Sequence, residues 1–212
     1  MKVQKFTFNP FQENTFVLHD ESKDCVIVDA GCYDRNEQEM LKQFIEDNGL
    51  NPVALISTHS HLDHVFGNEF VKTTFEVPQF IHKEDLQTLS NFERTCNTYG
   101  IPAPSIPDTD VSFFDLEKGF EFGNTHLEVR FVPGHAPGHV VFIHHDSKTI
   151  INGDCLFMGS IGRTDLPEGN HDLLLTSIRQ QMFTLPDDYT VFTGHGPETT
   201  IGFEKSNNPF LN

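Results

Sequence analysis

The chain has 212 residues, a length that suits one domain with a sizeable buried core. Its 31 acidic and 14 basic residues give a formal net charge of -17, so most of its surface would repel nucleic-acid phosphates and anionic lipid headgroups. This balance argues against nucleic acid and membrane surfaces as partners.

Cysteine usage and the N-terminal sequence bear on the compartment. The chain has four cysteines: Cys25, Cys32, Cys96 and Cys155. They form no CxxC pair and no regular framework, which favours a reducing environment. The N-terminal segment contains no apolar stretch of signal-peptide length, because Lys5, Asn9 and Pro10 interrupt it. We therefore expect a cytoplasmic protein.

The first half of the chain alternates strand-like and helix-like patterns. KFTF, NTFVLHD and CVIVDAG predict three consecutive strands, and Asp34 can cap a helix over residues 35–48. VALIS predicts a strand buried on both faces. A helix over residues 68–75, a strand near QFIH and a helix over about 83–98 follow, before the proline-rich loop GIPAPSIPD.

The second half begins again with strands, SFFDL, HLEVRFV, HVVFIHH and TIINGD. A glycine-rich loop, a helix over about 171–182 and the strand TVFTG complete it. Because strands and helices alternate twice, the order favours an α/β fold with two packed sheets and outer helices over one doubly wound sheet.

The segment THSHLDH directly follows the predicted strand VALIS. His59 and His61 are two residues apart, so both rings point to the same side of an extended backbone. Asp63 and His64 lie where a helix would begin, so one short loop could serve two adjacent metal sites. Nitrogen and oxygen ligands suit zinc, iron or manganese. A single histidine here would more simply be an exposed polar residue, but the cluster favours metal binding.

Three further candidate ligands also follow predicted strands. His135 lies in VPGHAPGH, Asp154 in INGDC and His195 in FTGHGP. A carboxylate at Asp154 could lie between two cations and reduce their repulsion, although it could also act as a structural cap. The shared position after a strand favours the metal-binding interpretation.

The motifs VDAG, THSHLDH, PGHAPGH, NGD and GHGP resemble, in this order, those of the metallo-beta-lactamase superfamily. The resemblance covers essentially the whole chain. It implies a four-layer αββα sandwich of two mixed β-sheets flanked by helices, as a single domain over residues 1–212. It also implies two divalent metal ions at one edge between the sheets, with zinc expected and iron or manganese as alternatives.

The resemblance also assigns site residues. It implies two groups of metal ligands and one shared carboxylate: His59, His61 and His135 for one metal, Asp63, His64 and His195 for the other, and Asp154 between them. Asp29 and His139 resemble positions that contact the ligands rather than a metal.

Within the superfamily, GSIGRTDLPEGN and GHGPETTIGFEKSNNPFL resemble the short bacterial members of the glyoxalase II group, the hydroxyacylglutathione hydrolases. This narrower resemblance implies hydrolysis of a thioester such as S-lactoylglutathione. Longer glyoxalase II enzymes carry a helical C-terminal region that supplies basic residues for glutathione, and we expect no such separate domain here. The glutathione tail must then bind elsewhere, or the substrate carries another thiol.

The expected mechanism uses a hydroxide formed from a water that two cations share, which attacks the thioester carbonyl. One cation would polarise the carbonyl oxygen, and the other, held partly by Asp63, would orient the nucleophile or receive the thiolate. Asp63 and Asp154 are therefore the catalytic candidates. Arg163 could bind a substrate carboxylate with two hydrogen bonds, or it could pair internally with Asp165 or Glu168.

Other activities use the same scaffold. GRTD is shared with persulfide dioxygenases, in which His59, His135 and Asp154 would hold a single iron. A lactonase or β-lactamase specificity is open as well, because the same hydroxide opens lactones and lactams. The acidity of the chain makes a nuclease less favoured, and a metal-binding scaffold without hydrolysis would require a missing ligand, whereas none is missing.

Overall fold

The computed structural model describes all 212 residues and contains two six-stranded β-sheets. In the first sheet the order of strands in space is their order in the chain. Neighbouring strands are antiparallel from β1 to β3 and parallel from β3 to β6, so the sheet is mixed. Its strands are β1 (Lys2–Phe8), β2 (Glu13–His19), β3 (Asp24–Val28), β4 (Asn51–Ile56), β5 (Gln79–Ile81) and β6 (Ser112–Phe113).

The second half of the chain supplies the second sheet. Its strands are β7 (Phe120–Phe122), β8 (Thr125–Phe131), β9 (Val140–His144), β10 (Thr149–Gly153), β13 (Thr190–Thr193) and β14 (Thr199–Thr200), with β11 (Leu156–Phe157) and β12 (Ser160–Ile161) paired separately. The spatial order is β14-β13-β10-β9-β8-β7. Only β10 and β13 run parallel, so this sheet is also mixed.

Seven α-helices lie outside these sheets or between their ends. They are α1 (Arg35–Asp47), α2 (Leu62–Val65), α3 (Asn68–Phe75), α4 (Leu86–Ser90), α5 (Phe92–Tyr99), α6 (His171–Ser177) and α7 (Ile201–Asn207). Helix α1 begins at a capping box, in which the Asp34 side chain accepts from the backbone of Glu37 and the Glu37 side chain accepts in return. None of the helices combines the length and the apolar character that spanning a bilayer would require.

Three buried clusters define the layers. The cluster between the two sheets contains, among others, Phe16, Val28 and Ile56 of the first sheet and Leu127, Phe142 and Ile151 of the second. Helices α1 and α3 cover the outer face of the first sheet, through Leu41, Ile45 and Val71. Leu174, Ile178 and Met182 cover the outer face of the second sheet. Because strand side chains alternate between faces, each sheet contributes to two clusters. The four-layer αββα prediction is confirmed.

Two predicted helices are interrupted. The helix predicted over residues 83–98 consists of a 3-10 turn at Lys83–Asp85 followed by α4 and α5. The Ser90 hydroxyl donates to the Leu86 carbonyl oxygen, and Asn91 leaves helical geometry at φ -86° and ψ 0°, which breaks the helix there. The helix from residue 171 changes to a π-helical segment at Ile178–Met182. Helix α7 and the short strands β7, β11, β12 and β14 were not predicted.

The candidate site lies where strands end. Strand β4 ends just before the segment 57–64, and β3 ends just before Asp29. Strands β8, β10 and β13 end shortly before His135, Asp154 and His195. Side-chain contacts join these segments, such as the 3.3 Å approach of His59 and His135. The ends of both sheets therefore meet at one edge of the sandwich.

Candidate metal centre

Three histidines form the first group of candidate ligands. The Nε2 atom of His135 lies 3.3 Å from Nε2 of His59 and 2.9 Å from Nδ1 of His61. His59 and His135 are buried, and His61 is half-buried. Three imidazole nitrogens that converge at these distances can hold one divalent cation.

Asp63, His64 and His195 form the second group. The Oδ2 atom of Asp63 lies 3.1 Å from Nε2 of His195 and 3.8 Å from Nε2 of His64. His64 is fully buried, whereas His195 is partly exposed. This group therefore has one ligand fixed in the interior and one that reaches solvent.

Asp154 lies between the two groups. Its Oδ2 atom is 3.7 Å from Nε2 of His135 in the first group and 3.4 Å from Nε2 of His195 in the second. Its Oδ1 atom is 3.5 Å from Nε2 of His64. A single carboxylate thus faces ligands of both groups, which is the arrangement needed to hold two neighbouring cations.

Two unpaired buried atoms test whether these residues fit metal ions. Nε2 of His64 and Oδ1 of Asp154 are buried and have no hydrogen-bond partner. Buried polar atoms are nearly always paired, so a ring nitrogen and a carboxylate oxygen that face each other across 3.5 Å without an ordinary hydrogen bond need an explanation. A cation with nitrogen and oxygen ligands supplies one, so the residues present fit divalent metals.

The ligand rings are oriented from behind by backbone carbonyls. Nδ1 of His135 donates to the carbonyl oxygen of Arg163 over 2.8 Å, and Nδ1 of His195 donates to that of Phe11 over 3.0 Å. A neutral imidazole with its proton on Nδ1 has its lone pair on Nε2. Both rings therefore present Nε2 to the other ligands.

Asp29 orients the ring of His64, and Thr58 contacts the ring of His59. Asp29 accepts the backbone N–H of Thr58 over 2.7 Å and its hydroxyl over 2.6 Å. Oδ2 of Asp29 also lies 3.2 Å from Nδ1 of His64, so that ring presents Nε2 to the site. Asp29 thus contacts the ring of His64 on the side opposite to the atom that faces Asp154.

His139 contacts the shared carboxylate through the backbone. Its Nε2 atom accepts the backbone N–H of Asp154 over 3.0 Å. Its ring also stacks on that of His59, with the centroids 4.8 Å apart. The structure therefore places His139 against one ligand of the first group and against the residue between the groups.

The two groups differ in their affinity for protons. Burial lowers the pKa of His59 well below its usual value and that of His61 to about 3, so both rings are neutral and ready to bind a metal. Burial alone would lower the pKa of His195, but contacts with the carboxylates of Asp154 and Asp63 raise it to about 10. A metal bound by the second group must therefore displace a proton.

Glu13 belongs to this centre but was not predicted. Its side chain is fully buried, accepts from the Thr15 hydroxyl over 2.8 Å and lies 3.8 Å from Nδ1 of His64. Burial raises the pKa of Glu13 well above its usual value. A Cβ atom at Gly31 would lie 1.9 Å from Oε2 of Glu13, which explains the glycine of VDAG. The only sequence signal was an acidic residue at the start of a strand whose apolar residues are Phe16, Val17 and Leu18.

Asn9 was also missed. Its Nδ2 atom donates to the carbonyl oxygens of Gly31 and Asp63, each over 2.9 Å. The side chain therefore ties the backbone of one ligand to the loop after β3. Asn9 lies in the turn NPFQ, and the turn-forming composition of that segment hid its role.

Asp85 supports the loop that carries His135. Its buried side chain accepts the backbone N–H of Gly138 over 3.0 Å, while Oδ2 has no partner. Burial raises the pKa of Asp85 to about 6, although Ser60 and Gly138 oppose the shift. Gly138 is required here because a Cβ atom would lie 2.5 Å from the Asp85 backbone nitrogen.

A cleft of about 920 Å³ opens onto the centre. Five of the candidate ligands line it: His61, Asp63, His135, Asp154 and His195. Residues of α4 and α5 form one part of its wall, and residues 157–168 form another. Its volume lies within the range of small-molecule sites.

Arg163 lines the cleft, but its guanidinium forms two hydrogen bonds of 2.8 Å with the Asp165 carboxylate. This is the internal pair that the sequence left open as an alternative to substrate binding. The backbone carbonyl of Arg163 has a separate role, because it orients His135.

Cys155 follows the shared carboxylate but points into the core. Its Sγ atom lies 2.8 Å from Oδ1 of Asn152 and 3.5 Å from Sδ of Met182. Burial raises the pKa of the Cys155 thiol well above its usual value. A buried neutral thiol is a poor nucleophile, so the side chain adjacent to Asp154 does not enter the chemistry of the cleft.

One family model and two curated relatives match most or all of the chain. The family model described as the metallo-beta-lactamase superfamily matches residues 8–195. The probable metallo-hydrolase YqgX of Bacillus subtilis is 36% identical, over 100% of this chain and 98% of its own length. The hydroxyacylglutathione hydrolase GloC of Haemophilus influenzae is also 36% identical, over 100% of this chain and 99% of its own length.

Two solved structures are similar along the whole chain. The BLEG-1 B3 metallo-beta-lactamase superposes with a TM-score of 0.90 at 34% identity and covers 100% of both chains. TTHA1623, solved in a di-iron-bound form, has a TM-score of 0.85 at 33% identity and covers 99% of this chain and 100% of its own.

Proposed function

The chain belongs to the metallo-beta-lactamase superfamily, and on that premise we propose that it is a metal-dependent hydrolase of acyl thioesters such as S-lactoylglutathione. The position of Asp154 carries the proposal, because its carboxylate faces His135 of one ligand group and His195 of the other. That arrangement suits a two-metal hydrolase.

Two divalent cations, zinc in the first instance, would when bound lower the pKa of a water and polarise a carbonyl oxygen. His59, His61 and His135 would hold one cation, and Asp63, His64 and His195 the other, with Asp154 shared. The protein's own residues would position these cations. Asp63 belongs to the second group and also lines the cleft, so it would hold a cation beside the substrate, and the side chain of Asn9 holds the backbone of Asp63 in place.

The comparisons support the thioester substrate. The GloC relative is a hydroxyacylglutathione hydrolase and matches this chain from end to end. The cleft has room for a tripeptide thioester. A small molecule as partner is also in line with the net charge of -17, which disfavours nucleic acid and anionic membranes. We place the activity in the cytoplasm, since all four cysteines are free and buried.

A second candidate function is hydrolysis of β-lactams. The similarity to a B3 metallo-beta-lactamase at 34% identity favours it, and the same centre could open a lactam. A single-iron persulfide dioxygenase would need only His59, His135 and Asp154. The segment THSHLDH, which contains Asp63 and His64 of the second group, is common to both kinds of protein, so only the metal content and the reaction itself separate the two functions.

One set of measurements separates these functions. Metal content per chain would be measured by elemental analysis, and the same sample would be assayed for S-lactoylglutathione hydrolysis, nitrocefin hydrolysis and oxygen uptake with glutathione persulfide. We expect about two metals per chain and thioester turnover that dominates the other activities. One iron per chain with oxygen uptake, or nitrocefin turnover without thioester turnover, would contradict the proposal. His59→Ala should lose metal and thioester turnover, and His126→Ala is its matched control, because His126 is an exposed histidine outside the centre.

A further inference from the structure

We infer that Arg94 binds a free carboxylate on the thiol half of the substrate and so determines which thioesters this chain accepts. The inference rests on the proposed thioester hydrolysis and deepens it. It also gives these 212 residues a group that could recognise the anionic tail of a thiol such as glutathione.

Arg94 lies on α5 and lines the same cleft as the metal-binding residues. Its side chain is exposed and forms neither an ion pair nor a hydrogen bond within the protein. Arg163 also lines the cleft, but both ends of its guanidinium fork are occupied by Asp165. Arg94 is therefore the cleft arginine whose five donors are available to a ligand.

An unpaired cation is unusual in this chain. Of the 14 basic residues, only Lys2, Arg35 and Arg94 have no acidic or carbonyl partner. Lys2 and Arg35 do not line the cleft. Although the chain has 31 acidic residues, Arg94 is the only cation of the cleft without a partner. Its guanidinium is therefore free to bind an anion of a ligand.

The wall around Arg94 offers further polar groups. Thr88, Asn91, Thr95 and Thr98 all line the cleft, along the stretch formed by α4, the break at Asn91 and α5. Leu89 of α4 and Cys96 of α5 do not line the cleft and pack into the core. A polar stripe therefore runs along the cleft beside the arginine.

Two side chains of this stripe, those of Thr88 and Asn91, have no hydrogen-bond partner within the protein. Oγ1 of Thr88 is buried and forms no hydrogen bond, although it belongs to a cleft-lining residue. The Asn91 side-chain amide also has no partner within the protein, because only its backbone is bonded. Unpaired donors and acceptors along a cleft match the amide groups of a peptide.

Another part of the wall has the opposite character. Its cleft-lining residues include Phe157, Met158, Leu166 and Pro167. A ligand with an apolar part, peptide amides and a terminal anion would use each surface of the cleft. Guanidinium binds both carboxylate and phosphate, and the amide-matching stripe beside Arg94 favours the carboxylate of a peptidic thiol.

The test measures binding without turnover. S-hexylglutathione is a thioether and cannot be hydrolysed, and its diethyl ester lacks free carboxylates. Calorimetry with the metal-loaded protein should show that Arg94→Ala weakens binding of the free acid about tenfold and leaves the already weak binding of the diester unchanged. Arg94→Lys should recover part of the loss. Arg35→Ala is the matched control, since it removes another exposed, unpaired arginine and should change nothing.

Kinetics provide a second readout. If S-lactoylglutathione is turned over, Arg94→Ala should raise KM about tenfold with little change in kcat, because the lost interaction is made equally in the ground and transition states. Arg94 has no partner within the protein, so its replacement should also leave Tm unchanged.

Three results would overturn the inference. The first is that the Arg94→Ala variant and the parent bind S-hexylglutathione equally well, and the second is that the parent binds the free acid and the diester equally well. The third is that Arg94→Ala loses affinity only for S-hexyl coenzyme A, which would assign the arginine to phosphate. Failure of the proposed function looks different. The parent would then bind S-hexylglutathione through Arg94 but would not hydrolyse the thioester.

Discussion

The Thr58 hydroxyl donates a 2.6 Å hydrogen bond to Oδ2 of Asp29. A hydroxyl has one proton, so toward Nδ1 of His59, 3.0 Å away, it can only accept. His59 is thereby held with its proton on Nδ1 and its lone pair on Nε2, toward His135. Two residues that contact no metal position thus determine the orientation and tautomer of a ligand.

Thr58→Val removes this hydroxyl and keeps the shape of the side chain. We expect the affinity of the first ligand group for metal to fall about 10-fold to 100-fold. The fold should persist, because the backbone N–H of residue 58 still donates to Oδ1 of Asp29. Competition with a chelator measures the affinity. Thr58→Ser should restore it, and unchanged affinity in the valine variant would remove the hydroxyl from the account.

Asp154→Ala removes the carboxylate that faces both groups. We expect fewer than two metals per chain and no measurable thioester turnover, with the secondary structure largely intact. His59→Ala should behave in the same way. Elemental analysis and circular dichroism test both variants. Asp146→Ala, at an exposed acidic residue outside the centre, serves as the control for charge, and full activity in Asp154→Ala would exclude Asp154 from the mechanism.

Gly194 lies against the shared carboxylate. A Cβ atom there would lie 2.1 Å from Oδ1 of Asp154 and 2.8 Å from Cε1 of His64. Gly194→Ala should therefore displace both ligands and abolish turnover. In Gly49→Ala the new Cβ atom meets nothing within 4 Å, and the positive φ of 58° alone should cost about 1 kcal/mol of stability with activity retained. Equal activity of the two variants would contradict this difference.

Asp85 makes stability depend on pH. Its pKa is about 6 in the folded protein against 3.8 as the reference value, so between these pH values the folded state holds a proton that the unfolded state has lost. Stability contributed by this group therefore falls as pH rises from about 4 to about 6, by about 3 kcal/mol in total. Asp85→Asn keeps an acceptor for Gly138 and should abolish this slope.

Urea unfolding of matched metal-free samples at about pH 4 and about pH 7 measures the effect of Asp85. The asparagine variant should gain stability relative to the parent at the higher pH. Parallel pH profiles of the two proteins would show that the buried carboxyl is not the cause.

The sequence predicts much of the centre because its ligands follow strands in short local motifs. THSHLDH needs no tertiary information beyond the strand that precedes it. Glu13 and Arg94 could not be predicted in this way. The role of Glu13 arises from β2 packing beside a loop that is distant in the chain, and that of Arg94 from the side of α5 that faces the cleft.

The same limit applies to the fold. Hydrophobic periodicity identifies the long strands and α1, whose buried stripe is strong. It misses the two-residue strands β11, β12 and β14, which are too short to show a period. It also predicts one continuous helix across Asn91, because a single turn residue does not change the spacing of the apolar residues on either side of it.

The hydrogen bond from Nδ1 of His195 to the carbonyl of Phe11 joins residues 184 positions apart. During synthesis His59, His61 and His64 emerge early. His195, which completes the second group with Asp63 and His64, emerges among the last residues. A nascent chain that ends between residues 135 and 195 therefore has the first group complete and the second group incomplete. A chain truncated just before residue 195 should accordingly lack the last candidate ligand of the second group, while the first group is unaffected.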